Sequence, residues 1–250
     1  IGKTYLIQHF IADKKAIYYL AQQSTSKINL RYFSQAINDF EGASSRAPFL
    51  DFYSALKHVF DLSLHENIVL VLDEFPWLVD SEKSLPSLLQ GFLDNHVYDK
   101  CHLFLILCGS SINMMEENVL SEKSPLFEHE TLKLKMFPFS FAESRLFLTS
   151  FSLEDQLALY AVTNGIGQYL SYIDPSLSFA TNINALFFSS TGRLYDEPST
   201  FLKAELKEPS VYSSIITAIA NGATKPNEIA TKCSLPSNKL SYYLSSLQTI

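Results

Sequence analysis

An α/β fold built on a parallel sheet is predicted by three features of the sequence. The run Asn67-Ile68-Val69-Leu70-Val71-Leu72 is unbroken, apolar and rich in β-branched residues, the pattern of a strand covered on both faces. A second such run comes later, His102-Leu103-Phe104-Leu105-Ile106-Leu107-Cys108. Amphipathic stretches at helical spacing lie before and between them, and strands alternating with helices pair in parallel.

Taken in order, residues 5–11 read as a helix and Ala16-Ile17-Tyr18-Tyr19-Leu20 as a short aromatic strand. Polar residues 24–27 are placed to cap a helix over 28–40, in which Leu30, Phe33, Ile37 and Phe40 keep helical spacing. Residues 41–48, with Gly and Pro, form a loop. A helix over 49–62 then carries Phe52, Leu56, Val59 and Phe60 on one side. After the first apolar run, Phe75-Pro76-Trp77-Leu78 reads as an aromatic turn and 84–93 as a helix. Trp77 either plugs the core or stacks near a ligand.

Residues 117–131 are charged and irregular, and Leu132-Lys133-Leu134-Lys135-Met136 alternates as a half-wetted edge strand does. Ser140 and Glu143 form a capping box pattern. From about residue 150 the strand patterns stop, and helices are predicted over 152–162, 168–173, 179–189 and 200–207. Three more are predicted over 210–220, 225–232 and 236–247. The last two are joined by Cys233-Ser234-Leu235, the spacing of a helix-turn-helix.

At 250 residues and 47% hydrophobic content the chain can build one large core or two modest ones. A formal net charge of -7 argues against broad contact with a nucleic-acid backbone. The tail is the exception, since residues 210–250 carry Lys225, Lys232 and Lys239 against Glu228 alone. DNA contact through 225–250, by Ser237, Asn238, Lys239 and Ser241, is one reading of it. Packing on its own core or on a protein partner is the other. Cys101, Cys108 and Cys233 form no CxxC pair, which points to a reducing compartment. No apolar run approaches the roughly 20 residues of a membrane span, and the cytoplasm is the expected location. The six histidines show no metal-ligand spacing. Cys108-Gly109-Ser110-Ser111 lacks the second glycine of a serine-hydrolase elbow.

The chemistry concentrates at the end of the first apolar run, where Asp73 and Glu74 stand side by side. Ligands of open α/β sheets collect at the carboxyl ends of strands. Two adjacent acids there repel and lose hydration unless a cation or a water uses them, which points to a Mg²⁺ and phosphate site. The alternative is a helix N-cap.

Gly2-Lys3-Thr4, at the start of the first helix, supplies the last three positions of G-x-x-x-x-G-K-[ST]. In that motif backbone N–H groups and a Lys hold phosphates and a hydroxyl holds Mg²⁺. The pattern begins mid-loop at Ile1, so a preceding strand and the loop's first glycine are expected outside this sequence. The second apolar run ends in Gly109-Ser110-Ser111. These hydroxyls reach toward a γ phosphate or an attacking water, or else Ser111 caps a helix beginning at Ile112.

Together with Lys123-Ser124-Pro125-Leu126, Pro138-Phe139-Ser140-Phe141, Asn164-Gly165-Ile166-Gly167-Gln168-Tyr169-Leu170 and Gly192-Arg193-Leu194-Tyr195-Asp196-Glu197-Pro198, these motifs resemble the archaeal-type AAA+ ATPase family across nearly the whole chain. The resemblance implies a P-loop NTPase (AAA+/ASCE) core over 1–150, a helical lid over 151–208 and an incomplete winged-helix segment over 209–250. It also implies ATP and Mg²⁺ as ligands, bound between core and lid. Gly2, Lys3, Thr4 and Asp73 would hold the nucleotide, with Thr4 on the metal and Asp73 binding it through water. Glu74 would activate water, and Ser110 or Ser111 would sense the γ phosphate. A protein partner or homo-oligomer is compatible with it.

Two departures stand out. Where the family reads Pro-Leu-x-Gly-Arg-Arg, this chain reads Pro125-Leu126-Phe127-Glu128-His129-Glu130, so nucleotide binding is expected to survive while hydrolysis slows. Arg145 and Arg193 are the nearest substitutes, each expected to sit in a structural ion pair. Gly167 replaces a proline, which is expected to loosen the lid entrance. The competing expectation is a DNA-binding regulator or scaffold with a degenerate ATPase core.

Overall fold

In the computed structural model, residues 2–98, 100–110, 115 and 119–249 are described. The chain forms two compact units, Ile1–Phe137 and Pro138–Ile250.

The first unit is built on three parallel strands in the order β1-β2-β3: β1 Ala16–Leu20, β2 Ile68–Asp73 and β3 Leu103–Leu107. Tyr18 pairs with Val71 and Leu20 with Asp73, while Leu72 pairs with Leu107. All six residues of β2 are buried, as its unbroken apolar run requires. Its side chains divide by parity. Ile68, Leu70 and Leu72 face a core with Phe33 and Ile37 of α2 (Ser26–Phe40) and Leu56, Val59 and Phe60 of α3 (Phe52–Ser63). Val69 and Val71 face the other way, against Ile7 of α1 (Lys3–Ile11) and Cys108. Asp73 continues this second set and therefore emerges on the side of α1.

Asp51 starts α3 with a capping box, its carboxylate accepting from the Ser54 backbone N–H at 2.7 Å. Phe75 to Leu78 belong to a helix rather than a turn: α4 spans Phe75–Ser81 with Phe75, Pro76, Leu78 and Val79 buried. Proline suits a helix's first turn, where its missing N–H has no partner to lose. α5 (Leu85–Leu93) completes that layer. The alternating segment 132–136 forms no strand. Leu132 and Leu134 are 75% and 66% exposed, and alternation without a neighbouring strand leaves the ladder unmade.

The regular elements of the second unit are all helical among its described residues. α6 (Phe141–Ser144) begins with the Ser140–Glu143 capping box. α7 (Leu153–Thr163), α8 (Gly167–Leu170) and α9 (Phe179–Ile183), with the π-helical turn Asn184–Phe188, surround Leu148, Leu159, Leu170 and Leu186. α10 (Glu197–Glu205), α11 (Pro209–Ala220), α12 (Pro226–Lys232) and α13 (Ser237–Thr249) share a second cluster that includes Leu202, Ile215, Ile229 and Leu240. A Cβ added at Gly167 would come within 2.9 Å of the Phe139 ring.

Candidate functional site

The site lies at the carboxyl end of β2, where α1 arrives on one face. Gly2 precedes α1 in the left-handed region with φ 70, a conformation glycine adopts without steric cost. Two residues on, the Thr4 hydroxyl donates to Asp73 Oδ2 at 3.0 Å. The Tyr18 hydroxyl donates to the same oxygen at 2.8 Å, and the Glu74 backbone N–H donates to Asp73 Oδ1 at 3.0 Å. Asp73 is only 1% exposed and has no salt bridge among the described residues.

Glu74 itself is left-handed, with φ 53, at the N-cap position of α4. That strained conformation for a non-glycine residue turns the chain abruptly off the sheet. Its carboxylate makes no capping bond to α4; Oε2 accepts from the Ser110 backbone N–H at 3.2 Å. The Phe75 N–H donates to the Cys108 carbonyl at 2.8 Å, tying α4 to the end of β3. Gly109 comes next, where a Cβ would come within 2.8 Å of Pro76 and Met115.

Lys3 is partly exposed and Thr4 exposed. Burial, then the neighbouring Asp73 charge, pushes the Cys108 thiol up to about 12, and the positive charge of Lys3 opposes that shift. Lys3, Asp73 and Glu74 thus all act on one thiol. Burial, then the bond to Asp73, raises the Tyr18 phenol well above its ordinary value.

Of the residues singled out in the sequence, Gly2, Lys3, Thr4, Asp73, Glu74 and Ser110 converge here. Ser111, with the helix expected from Ile112, lies outside the described residues. Tyr18 was hidden within an aromatic strand pattern. Parity marks it: with Ile17 and Tyr19 in the α2 core, Tyr18 has to face α1 and Asp73.

The arginine-lacking segment has its own partners. Glu128 is left-handed with φ 67, His129 Nε2 lies 3.6 Å from Asp94 Oδ1, and Glu130 pairs with Lys133, which holds its carboxyl below the usual range. Arg145 donates from Nε to Gln156 Oε1 at 2.9 Å, and Arg193 lies over the Tyr172 ring at 4.9 Å. Neither makes an ion pair among the described residues. No group of three or more His, Cys, Asp or Glu suited to a metal is present among those residues, and no helix there is long and apolar enough to cross a membrane.

A hydroxyl and a buried carboxylate are in contact at a strand end, beside a lysine at a helix start, groups of the kinds that bind hard divalent cations and phosphates. The profile of a family described as an ATPase domain predominantly from Archaea matches residues 1–173. The chain belongs to this family of ATPase domains. An uncharacterised protein of Methanocaldococcus jannaschii is 31% identical over 247 residues, which are 99% of this chain and 53% of that protein. This ATPase-family chain thus spans about half the length of that curated relative. Among solved structures, the Walker-type ATPase of Pyrococcus abyssi superposes with a TM-score of 0.67 at 17% identity, over 99% of this chain and 81% of that one. At that identity the match speaks for the fold of this ATPase-family chain.

Proposed function

We propose that this protein binds ATP with Mg²⁺ at the carboxyl end of β2 and hydrolyses it. The observation that carries the reading is the 3.0 Å bond from Thr4 to Asp73, which joins the Gly2-Lys3-Thr4 helix start to the Asp73-Glu74 strand end.

Lys3 would hold the β and γ phosphates, Thr4 would hold the cation, and Asp73 would hold it through water. Bound Mg²⁺ supplies neutralisation of the charge that develops on the transferring phosphoryl group. Glu74, released from the Ser110 N–H, orients and deprotonates the attacking water. Ser110, or Ser111, meets the γ phosphate. Catalysis of this kind is positioning and charge neutralisation. With acids at 128 and 130 where the family pattern carries glycine and arginine, the phosphoryl charge lacks one stabiliser and turnover is slow. Turnover shifts the helical segment from 151 onward, and α11 to α13 serve as a winged-helix module.

A second reading, a DNA-binding regulator whose ATPase core is degenerate, is favoured by one observation: Ser237, Asn238, Lys239 and Ser241 are all exposed on α13. It requires salt-sensitive binding of duplex DNA.

ATP hydrolysis by the intact protein and by Glu74→Gln tests the first reading. The variant retains nucleotide and loses turnover; equal turnover in both removes Glu74 from its role.

A further inference from the structure

We propose that Tyr18 is a positioning residue for the cation, fixing the Asp73 carboxylate through its phenol. This rests on the reading of Asp73 as part of an Mg²⁺ and nucleotide site. Tyr18 stands on β1, two positions before the residue that pairs with Asp73, and donates to Asp73 Oδ2 at 2.8 Å. Thr4 donates to the same oxygen at 3.0 Å. The two hydroxyls are not equivalent. Thr4 is exposed at a helix start, and its oxygen is the one a cation recruits, which ties its position to the ligand. Tyr18 is held in a packed strand against Val69, Val71 and Ile7, and its bond to Asp73 persists.

The polarity of the bond follows from its partners, since a carboxylate oxygen can only accept and the phenol supplies the proton. With Tyr18 in place, Oδ2 keeps a donor and the carboxylate plane stays fixed between the phenol and the Glu74 N–H. Without it, Oδ2 is left to the exposed Thr4 hydroxyl, whose position depends on the ligand. Groups that orient a ligand in this way typically change metal affinity about 10- to 100-fold when removed.

The experiment is a titration of Mg²⁺ into intact protein containing a fluorescent ADP analogue, with parallel binding in EDTA, for wild type and Tyr18→Phe. The phenylalanine keeps the ring and removes only the hydroxyl. The expected result is unchanged analogue affinity in EDTA and an Mg²⁺ midpoint displaced about tenfold upward. Equal weakening with and without Mg²⁺, or no displacement, overturns the proposal. If Tyr18→Phe does not fold, Tyr18→Leu, which likewise removes the donor, gives the same reading, and an undisplaced midpoint overturns the proposal. Wild type that shows no Mg²⁺-dependent binding fails the site itself, a different result from a wild type that responds and a Tyr18→Phe that matches it.

Discussion

Thr4 Oγ1 and Asp73 Oδ2 are 69 positions apart in the chain and 3.0 Å apart in space. The strand parity that puts Val69 and Val71 on α1 puts Asp73 there too, so the contact arises from the same alternation that builds the core. Thr4→Ala removes the link while leaving Lys3 in place. Its expected effect is loss of the Mg²⁺-dependent part of nucleotide affinity with the Mg²⁺-independent part retained, read by equilibrium titration in Mg²⁺ and in EDTA.

Glu74→Gln keeps the shape of the residue and removes the base. Hydrolysis is expected to fall by about 10²- to 10⁴-fold, while affinity for ATP stays within a small factor. Single-turnover phosphate release beside nucleotide binding separates the two.

Much of this arrangement is legible in the sequence, because unbroken apolar runs and acids at a strand end are local patterns. β2 and β3 follow from their runs, and the Asp73 position follows from β2. The helix over Phe75–Ser81 is not legible as such, because Pro76 reads equally as a turn. Its burial in the core beside α2 and α5 decides the matter. The alternation at 132–136 misleads because a strand needs a partner that local pattern does not reveal. Tyr18 is missed for a related reason, since its role depends on which strand lies beside β1.

Stability is expected to respond along the same lines. Leu70 is fully buried against the α2 and α3 layer, so Leu70→Ala is expected to cost about 2–5 kcal/mol. Leu132→Ala, at an exposed position, is expected to stay within about 0.5 kcal/mol. Urea denaturation of the two variants checks the contrast.

Acid should weaken the start of α3. The Ser54 backbone N–H, then its hydroxyl, lowers the Asp51 carboxyl below its ordinary 3.8. A carboxyl lowered in the folded state contributes fully above its unfolded value, and the contribution is lost as pH falls through the folded one. Asp51→Asn is expected to flatten the stability profile in that acid window, as seen by denaturant midpoints measured across it.

Service of one triphosphate by Lys3, Thr4, Asp73 and Glu74 is the relationship on which the other expectations depend. Equilibrium binding of a fluorescent ATP analogue in Mg²⁺, to the intact protein and to Lys3→Ala, probes it without passing through any other step. Affinity should weaken by roughly 10- to 100-fold in the variant, the scale of a lost charged hydrogen bond. Equal affinity in the two proteins would contradict it.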